Sequence, residues 1–263
     1  MRNKPRIRFK GFTENWEQRK LGELGKLKSG VGFPEIEQNG IEGIPFYKVS
    51  DMNHYDNHFE MISANNYVTQ KQIEKKRWTP IINCSAIVFA KVGAAVLLDR
   101  KRLCTKSFLL DNNMMAYLVN PEQLNKYFCK FLFDTINLGN LTQIGALPSL
   151  NAKDISDIKR YIPLLLEQEK ISNLLLSLEQ FITLYQHKLE KLKLTKKALL
   201  QKLFPKNGSK FPEVRFKGFT DAWEQRKLGD IATFSKGNGY SKSDLVPSGS
   251  PIILYGRLYT NYE

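Results

Sequence analysis

Nine basic residues lie between Thr69 and Lys106: Lys71, Lys75, Lys76, Arg77, Lys91, Arg100, Lys101, Arg102 and Lys106. Only Glu74 and Asp99 oppose them, and Trp78 and Phe89 are interleaved. A basic run is commonly just a solvated face. On strand ends and turns of a chain with net charge +14, however, the concentration suits contact with phosphates. Lys28, Ser29 and Lys48, from neighbouring stretches of the same region, complete the basic and hydroxyl candidates. Asparagine and glutamine can pair with adenine in bidentate fashion, and lysine or arginine with guanine. Asn112, Asn113, Gln143 and Lys91 are therefore candidate base readers, although Asp111-Asn112-Asn113 reads more simply as a turn.

Patterns that would carry catalysis are mostly missing. His54 and His58 are four apart, yet Tyr55-Asp56-Asn57 between them reads as a loop, and no third metal ligand stands near. There is no G-x-x-x-x-G-K-[ST] phosphate loop, and Gly30-Val31-Gly32 is too little for a dinucleotide fingerprint. Asn120-Pro121-Glu122 is not the Asn/Asp-Pro-Pro-Tyr/Phe of adenine methyltransferases. Glu74-Lys75-Lys76 imitates the end of a metal-dependent nuclease motif, but acid-x-Lys triplets arise by chance in a lysine-rich chain. The residues define no active site.

The elements that must position these groups are mostly strands. Ile44 to Asp51 alternates, and Ile81 to Ala90, Ala94 to Leu98, Leu103 to Leu110 and Met114 to Val119 are apolar runs divided by turn or charged residues. They predict a mainly antiparallel sheet in an α+β fold. Asn120-Pro121-Glu122 reads as a helix start, with Leu124, Tyr127, Phe128, Phe131 and Leu132 on the buried face. A turn-rich loop from Gly139 to Pro148, a short helix opening near Asn151 and a strand at Arg160-Tyr161-Ile162 follow.

Between Pro163 and Pro205 there is neither glycine nor proline, and these 41 residues predict one helix roughly 60 Å long. Ile171, Leu178, Tyr185, Leu192 and Leu199 recur every seven residues, and Leu175, Ile182, Leu189 and Leu203 fill the alternate row. This is a coiled-coil seam, interrupted by Gln168 and Lys196. Left in water, its apolar side chains would each forfeit about 1.5–3 kcal/mol, so the helix asks for another helix. Lys188, Lys191, Lys193, Lys196, Lys197 and Lys202 make its second half basic, where cations suit the negative end of the helix dipole.

The chain also begins twice. Residues 5–24, PRIRFKGFTENWEQRKLGEL, and 212–231, PEVRFKGFTDAWEQRKLGDI, agree at 14 of 20 positions. The likeness persists in outline, with Leu27-Lys28-Ser29-Gly30 facing Phe234-Ser235-Lys236-Gly237 and Ile44-Pro45-Phe46-Tyr47 facing Ser250-Pro251-Ile252-Ile253. Three segments follow: a strand-rich unit over 1–163, the long helix over 164–204, and the opening of a second unit over 205–263, which lacks most of the strands its core needs and is expected to be loosely held or docked on a partner. At 263 residues, 42% apolar and a pI near 9.6, the composition allows a core and asks for a polyanionic partner, nucleic acid first. No window predicts a signal peptide or a membrane span, which reads as cytoplasmic. Cys84, Cys104 and Cys129 are odd in number and widely spaced, which suits reduced buried thiols.

The ordered set of Trp-Glu-Gln-Arg-Lys-Leu-Gly in both openings, Ile44 to Met52, Gly145-Ala146-Leu147-Pro148-Ser149-Leu150, and Ile162-Pro163-Leu164 with Glu167-Gln168-Glu169-Lys170-Ile171 before a helix ending Lys196 to Phe204 closely resembles the specificity (S) subunit of type I restriction–modification enzymes. The resemblance covers essentially the whole chain. It implies a target recognition domain that reads half of a split site in double-stranded DNA, and a conserved helix that serves as a spacer. It also implies a subunit without a catalytic centre. Such a subunit docks two methylation subunits that use S-adenosylmethionine, and the complex recruits ATP- and Mg-dependent restriction subunits, so this chain itself binds no cofactor. With one recognition domain and one conserved helix the sequence resembles half of the usual subunit. A second copy, paired through an antiparallel coiled coil, would restore two-fold symmetry. A stand-alone nuclease and a coiled-coil adaptor are the alternatives; the first needs a carboxylate cluster the sequence lacks, and the second leaves the basic unit unexplained.

Overall fold

A computed structural model describes residues 5–142, 147–206 and 208–254. The chain divides into two compact units between Lys188 and Leu189.

The first unit opens with β1 (Glu17–Lys20), the one-turn helix α1 (Leu21–Leu24) and β2 (Gly25–Ser29), followed by β3 (Ile44–Tyr47), β4 (Tyr67–Val68), α2 (Gln70–Lys76) and β5 (Ala86–Ala90). Then come β6 (Lys101–Cys104), β7 (Leu109–Leu110), β8 (Met114–Val119), α3 (Lys126–Asp134), α4 (Ala152–Ser156), β9 (Lys159–Ile162) and α5 (Leu165–Lys202). The central sheet is antiparallel in the order β2-β8-β5-β6. β1 pairs with β9, and a small sheet runs β4-β3-β7, with β3 parallel to β7.

Both faces of the central sheet are covered, so β5 is buried at every position. Period-two alternation sorts its side chains. Ile87 and Phe89 join Leu103, Met115 and Tyr117 beneath Leu21 and Leu24 of α1 and Phe128, Cys129 and Phe133 of α3. Ala86 and Val88 join Cys104, Met114 and Ala116 on the opposite face against Tyr47, Met52, Met61 and Phe108. Tyr117 donates its hydroxyl to the Leu21 carbonyl at 2.7 Å, and burial pushes its phenol far above the ordinary range. Burial likewise raises the thiols of Cys104 and Cys129 well above their usual value. A third cluster stacks Phe33 on Phe46 at 3.7 Å, with Trp78 edge-on to Phe46 at 5.0 Å.

Five predicted elements differ. Ile44 to Asp51 is a strand only as far as Tyr47, and Val49–Asn53 is then a 3-10 turn. Of Ile81 to Ala90, only Ala86–Ala90 is a strand. Ala94 to Leu98 is not a strand: Gly93 (φ +86°) and Asp99 (φ +51°) turn the chain on either side of a single 3-10 turn, Ala94–Val96. The run Leu103 to Leu110 is divided between β6 and β7. Asn120-Pro121-Glu122 is a turn, in which Asn120 Oδ1 accepts the Glu122 N–H. Helix α3 begins five residues later, where Asn125 Oδ1 accepts the N–H groups of Tyr127 and Phe128.

The second unit comprises the remainder of α5 and residues 203–254 as described. Trp223 packs edge-on to Phe204 at 5.7 Å, Lys206 pairs with Glu213, and the Val214 N–H reaches the Lys202 carbonyl at 3.0 Å. Its one α-helix after α5, among the described residues, is α6 (Leu228–Ile231).

Candidate nucleic-acid interface

Register brings several of the candidate residues to one end of the central sheet. Ser29 ends β2 opposite Met115, Ala90 ends β5 opposite Met114, and Lys101 opens β6 opposite Phe89. Ser29, Lys91, Arg100, Asn112 and Asn113 thus share that end. The Lys91 N–H donates to the Asn113 carbonyl at 2.7 Å, and the Lys91 carbonyl accepts from Leu150 at 2.9 Å. This places the Pro148–Leu150 stretch alongside. Gln143 lies outside the described residues.

The asparagines also serve the turn reading. Asn113 N–H bonds Asp111 Oδ1 at 2.7 Å, while both asparagines remain exposed. Gly30 lets the adjoining strand pass: a Cβ there would stand 1.9 Å from the Asp111 carbonyl oxygen.

A second group sits on α2. Thr69 caps it by accepting the Gln72 N–H, and Arg77 closes it in the left-handed conformation (φ +54°). Lys71, Lys75 and Arg77 are exposed. Lys76 is tied to Glu37 at 3.2 Å; a hydrogen bond from Gln72, then Lys76, holds the Glu37 carboxyl below the usual range. Lys28 donates to the Thr79 carbonyl at 3.0 Å and so borders this group. Lys106 follows β6 at the sheet's other end and is exposed.

Lys101 departs from its expected role. Its side chain is 2% exposed, and its ammonium is committed to Asp99 Oδ2 at 2.7 Å and the Asp99 carbonyl at 3.2 Å. It holds the turn before β6 and faces no solvent. Arg102 is half-buried, with Nη1 on the Lys101 carbonyl and Nε buried without a partner. Burial, reinforced by Arg100, holds its guanidinium below its usual value. Arg100 bonds Asn53 Oδ1, and Lys48 bonds Gln38 Oε1 at 3.0 Å.

The loop carrying Lys48 is fixed by buried polar groups that the composition does not announce. Asp51 accepts from the backbone of Lys48 and Asn65 at 2.7 and 2.9 Å. Asn57 bonds the Asp51 and Ser63 carbonyls and accepts from Ile62 and Ser63.

Helix α5 has two working faces. One is polar and seated on the first unit. Gln168 accepts the Asn125 N–H at 2.8 Å and donates to the carbonyls of Pro163 and Gln123. Ser172 bonds Asn125 Oδ1 at 3.1 Å, Thr183 meets His58 at 3.4 Å and the His187 ring meets Tyr55 at 5.5 Å. Gln168, read as a break in the seam, is instead the anchor of this face.

The other face carries the seam. Ile171 packs against the core and Leu175 is half-buried. Leu178, Ile182, Tyr185, Leu189, Leu192 and Leu199 remain 42–64% exposed, and Leu203 is half-buried.

Sequence reading also missed a buried carboxylate. Glu167, in the first turn of α5, accepts Arg8 Nε at 2.6 Å, Arg8 Nη2 at 2.7 Å and Trp16 Nε1 at 3.2 Å. The signal lay in the repeat, which keeps both the arginine and the tryptophan at the same spacing.

Among the solved structures that this chain resembles are three of low identity. An S subunit of the type I restriction–modification system from M. genitalium is 15% identical over 72% of this chain and 46% of that one, with a TM-score of 0.47. The HsdS subunit from Thermoanaerobacter tengcongensis is 16% identical over 74% and 47%, at 0.49. A chain from a study of complex assembly and conformational transition of the type I R-M system is 14% identical over 72% and 45%, at 0.54, and shares the fold. The chain spans less than half the length of each. The family model described as "Type I restriction modification DNA specificity domain" matches residues 13–194. That match takes in the central sheet, the seated end of α5 and most of its exposed seam, and by it the chain belongs to the type I restriction–modification DNA specificity family.

Proposed function

We propose that this chain is a non-catalytic reader of one half of a split target in double-stranded DNA, which positions the methylation and restriction subunits of a type I complex. One juxtaposition carries the reading: a sheet end that presents Ser29, Lys91, Arg100, Asn112 and Asn113 is joined to a helix with an uncovered apolar row. The first suits a nucleic-acid surface and the second a partner helix.

The partner helix is α5 of a second copy, antiparallel, so that identical recognition units lie at opposite ends and the target is palindromic and split. S-adenosylmethionine, ATP and Mg belong to the partner subunits, two methylation subunits among them, and the complex works in the cytoplasm. No helix among the described residues is long and apolar enough to cross a membrane.

The test is co-expression with a type I methylation subunit, mass determination of the assembly and mapping of methylated adenines on genomic DNA. A two-fold symmetric split motif is expected. A monomer by light scattering at micromolar concentration, with the methylation subunit present, would sink the paired-helix part. DNA cleavage by the purified chain with Mg but no ATP would instead favour the nuclease reading.

A further inference from the structure

The first copy of the repeat shows what the motif holds. Arg8 and Trp16, eight residues apart, converge on the Glu167 carboxylate, which is 1% exposed. The arginine fork and the indole N–H replace the water this carboxylate would otherwise bind. Arg215 and Trp223 stand at the same spacing in the second copy. There, Arg215 Nη1 is buried without a hydrogen-bond partner. Phe216 and Phe219 are 75% and 68% exposed, whereas their counterparts Phe9 and Phe12 are half-buried. The second copy therefore has the gripping groups of the first and lacks the carboxylate.

We propose that residues 212–231 are a second clasp for the same receptor, the Glu167 helix start in a second copy of the chain, which they take over from that copy's own residues 5–16. The proposal rests on the antiparallel pairing above. In such a pair the end of one α5, at Lys202, lies beside the beginning of the other, at Leu165. The thirteen residues from Lys202 to Arg215 can span about 40 Å when extended. Because the same two side chain types meet the same carboxylate, exchange is close to isoenergetic and occupancy follows whichever clasp is intact. Each copy then fastens the other, and weakening Arg8 and weakening Arg215 act in opposite directions.

The test uses the full chain with p-benzoyl-phenylalanine in place of Ala222, an exposed position beside Trp223, mixed with isotopically heavy chain that lacks the probe. Light scattering on the same sample reads the mass, and mass spectrometry reads the crosslinks. The expected result is a dimer in which light 212–231 peptides are joined to heavy peptides containing residues 160–171. Arg215→Gln should weaken dimerisation about tenfold, while Arg8→Gln should strengthen it and raise the crosslink yield. Lys20→Gln, which removes only the exposed pair with Asp157, should raise the yield more gently should Arg8→Gln not fold. A dimer without crosslinks between copies, or equal weakening by Arg8→Gln and Arg215→Gln, overturns the clasp and leaves the helix pairing standing. A monomer overturns both.

Discussion

Residues 5–24 and 212–231 are nearly one sequence in two surroundings. Leu21–Leu24 and Leu228–Ile231 both form a four-residue helix, closed by the Gly25 N–H on the Leu21 carbonyl and the Ala232 N–H on the Leu228 carbonyl. Glu17–Lys20 is a strand because β9 lies beside it. Glu224–Lys227, with the identical sequence, is not a strand. Leu21 and Leu24 are 0% and 1% exposed, whereas Leu228 and Ile231 are 66% and 57% exposed. The helical turn is thus a local property of Leu-Gly-acid-Leu/Ile, while the strand comes from β9 and the burial from the core beside it.

The comparison can be broken most severely at the receptor. Glu167→Ala strands the Arg8 guanidinium and the Trp16 N–H, and should destabilise the first unit by about 3–5 kcal/mol, as expected when one partner of a buried ion pair is removed. Thermal unfolding would register it, and a drop of less than a degree would show that Arg8 is held by something else. Next, Leu21→Ala should cost about 2–5 kcal/mol for a buried leucine, while Leu228→Ala at the equivalent position should stay within about 0.5 kcal/mol. Urea midpoints of the two variants decide, and equal losses would mean that Leu228 is as buried as Leu21.

On α5, Leu178→Lys with Ile182→Lys should lower self-association at least tenfold by sedimentation and leave the helical circular dichroism of the first unit unchanged. The smallest effect concerns the exposed pair Lys20–Asp157. The Lys20 ammonium, by hydrogen bond first and then charge, holds the Asp157 carboxyl below its usual range. Its contribution is present above the unfolded carboxylate value and is lost as pH falls through the folded one. Asp157→Asn should therefore lower the melting temperature slightly near neutrality and converge with the parent chain in acid. Parallel curves would exclude the pair.

Much of the scaffold was legible in the sequence for a simple reason: strands and helices announce themselves by period. The long helix, the seam and the antiparallel sheet all follow from spacing between residues close in the chain. What escaped depends on contacts between distant ones. Arg8 and Glu167 are 159 residues apart, and no periodicity joins them. Gln168 looked like a flaw in an apolar row because the row was read without knowing which face meets the domain. Lys101 was counted with its basic neighbours, yet its turn folds it inward onto Asp99. A tally of charge cannot distinguish a lysine that faces solvent from one that fastens a turn.

The buried thiols have a use beyond packing. The thiolate, not the thiol, attacks alkylating reagents, and burial holds the thiols of Cys104 in β6 and Cys129 in α3 well above their ordinary range and so protonated. At neutral pH these two sulfurs should react only during openings of the native structure. The rate of their modification would then time how often β6 and α3 separate. The unaltered chain carries its own clock for the breathing of the sheet on which recognition would depend.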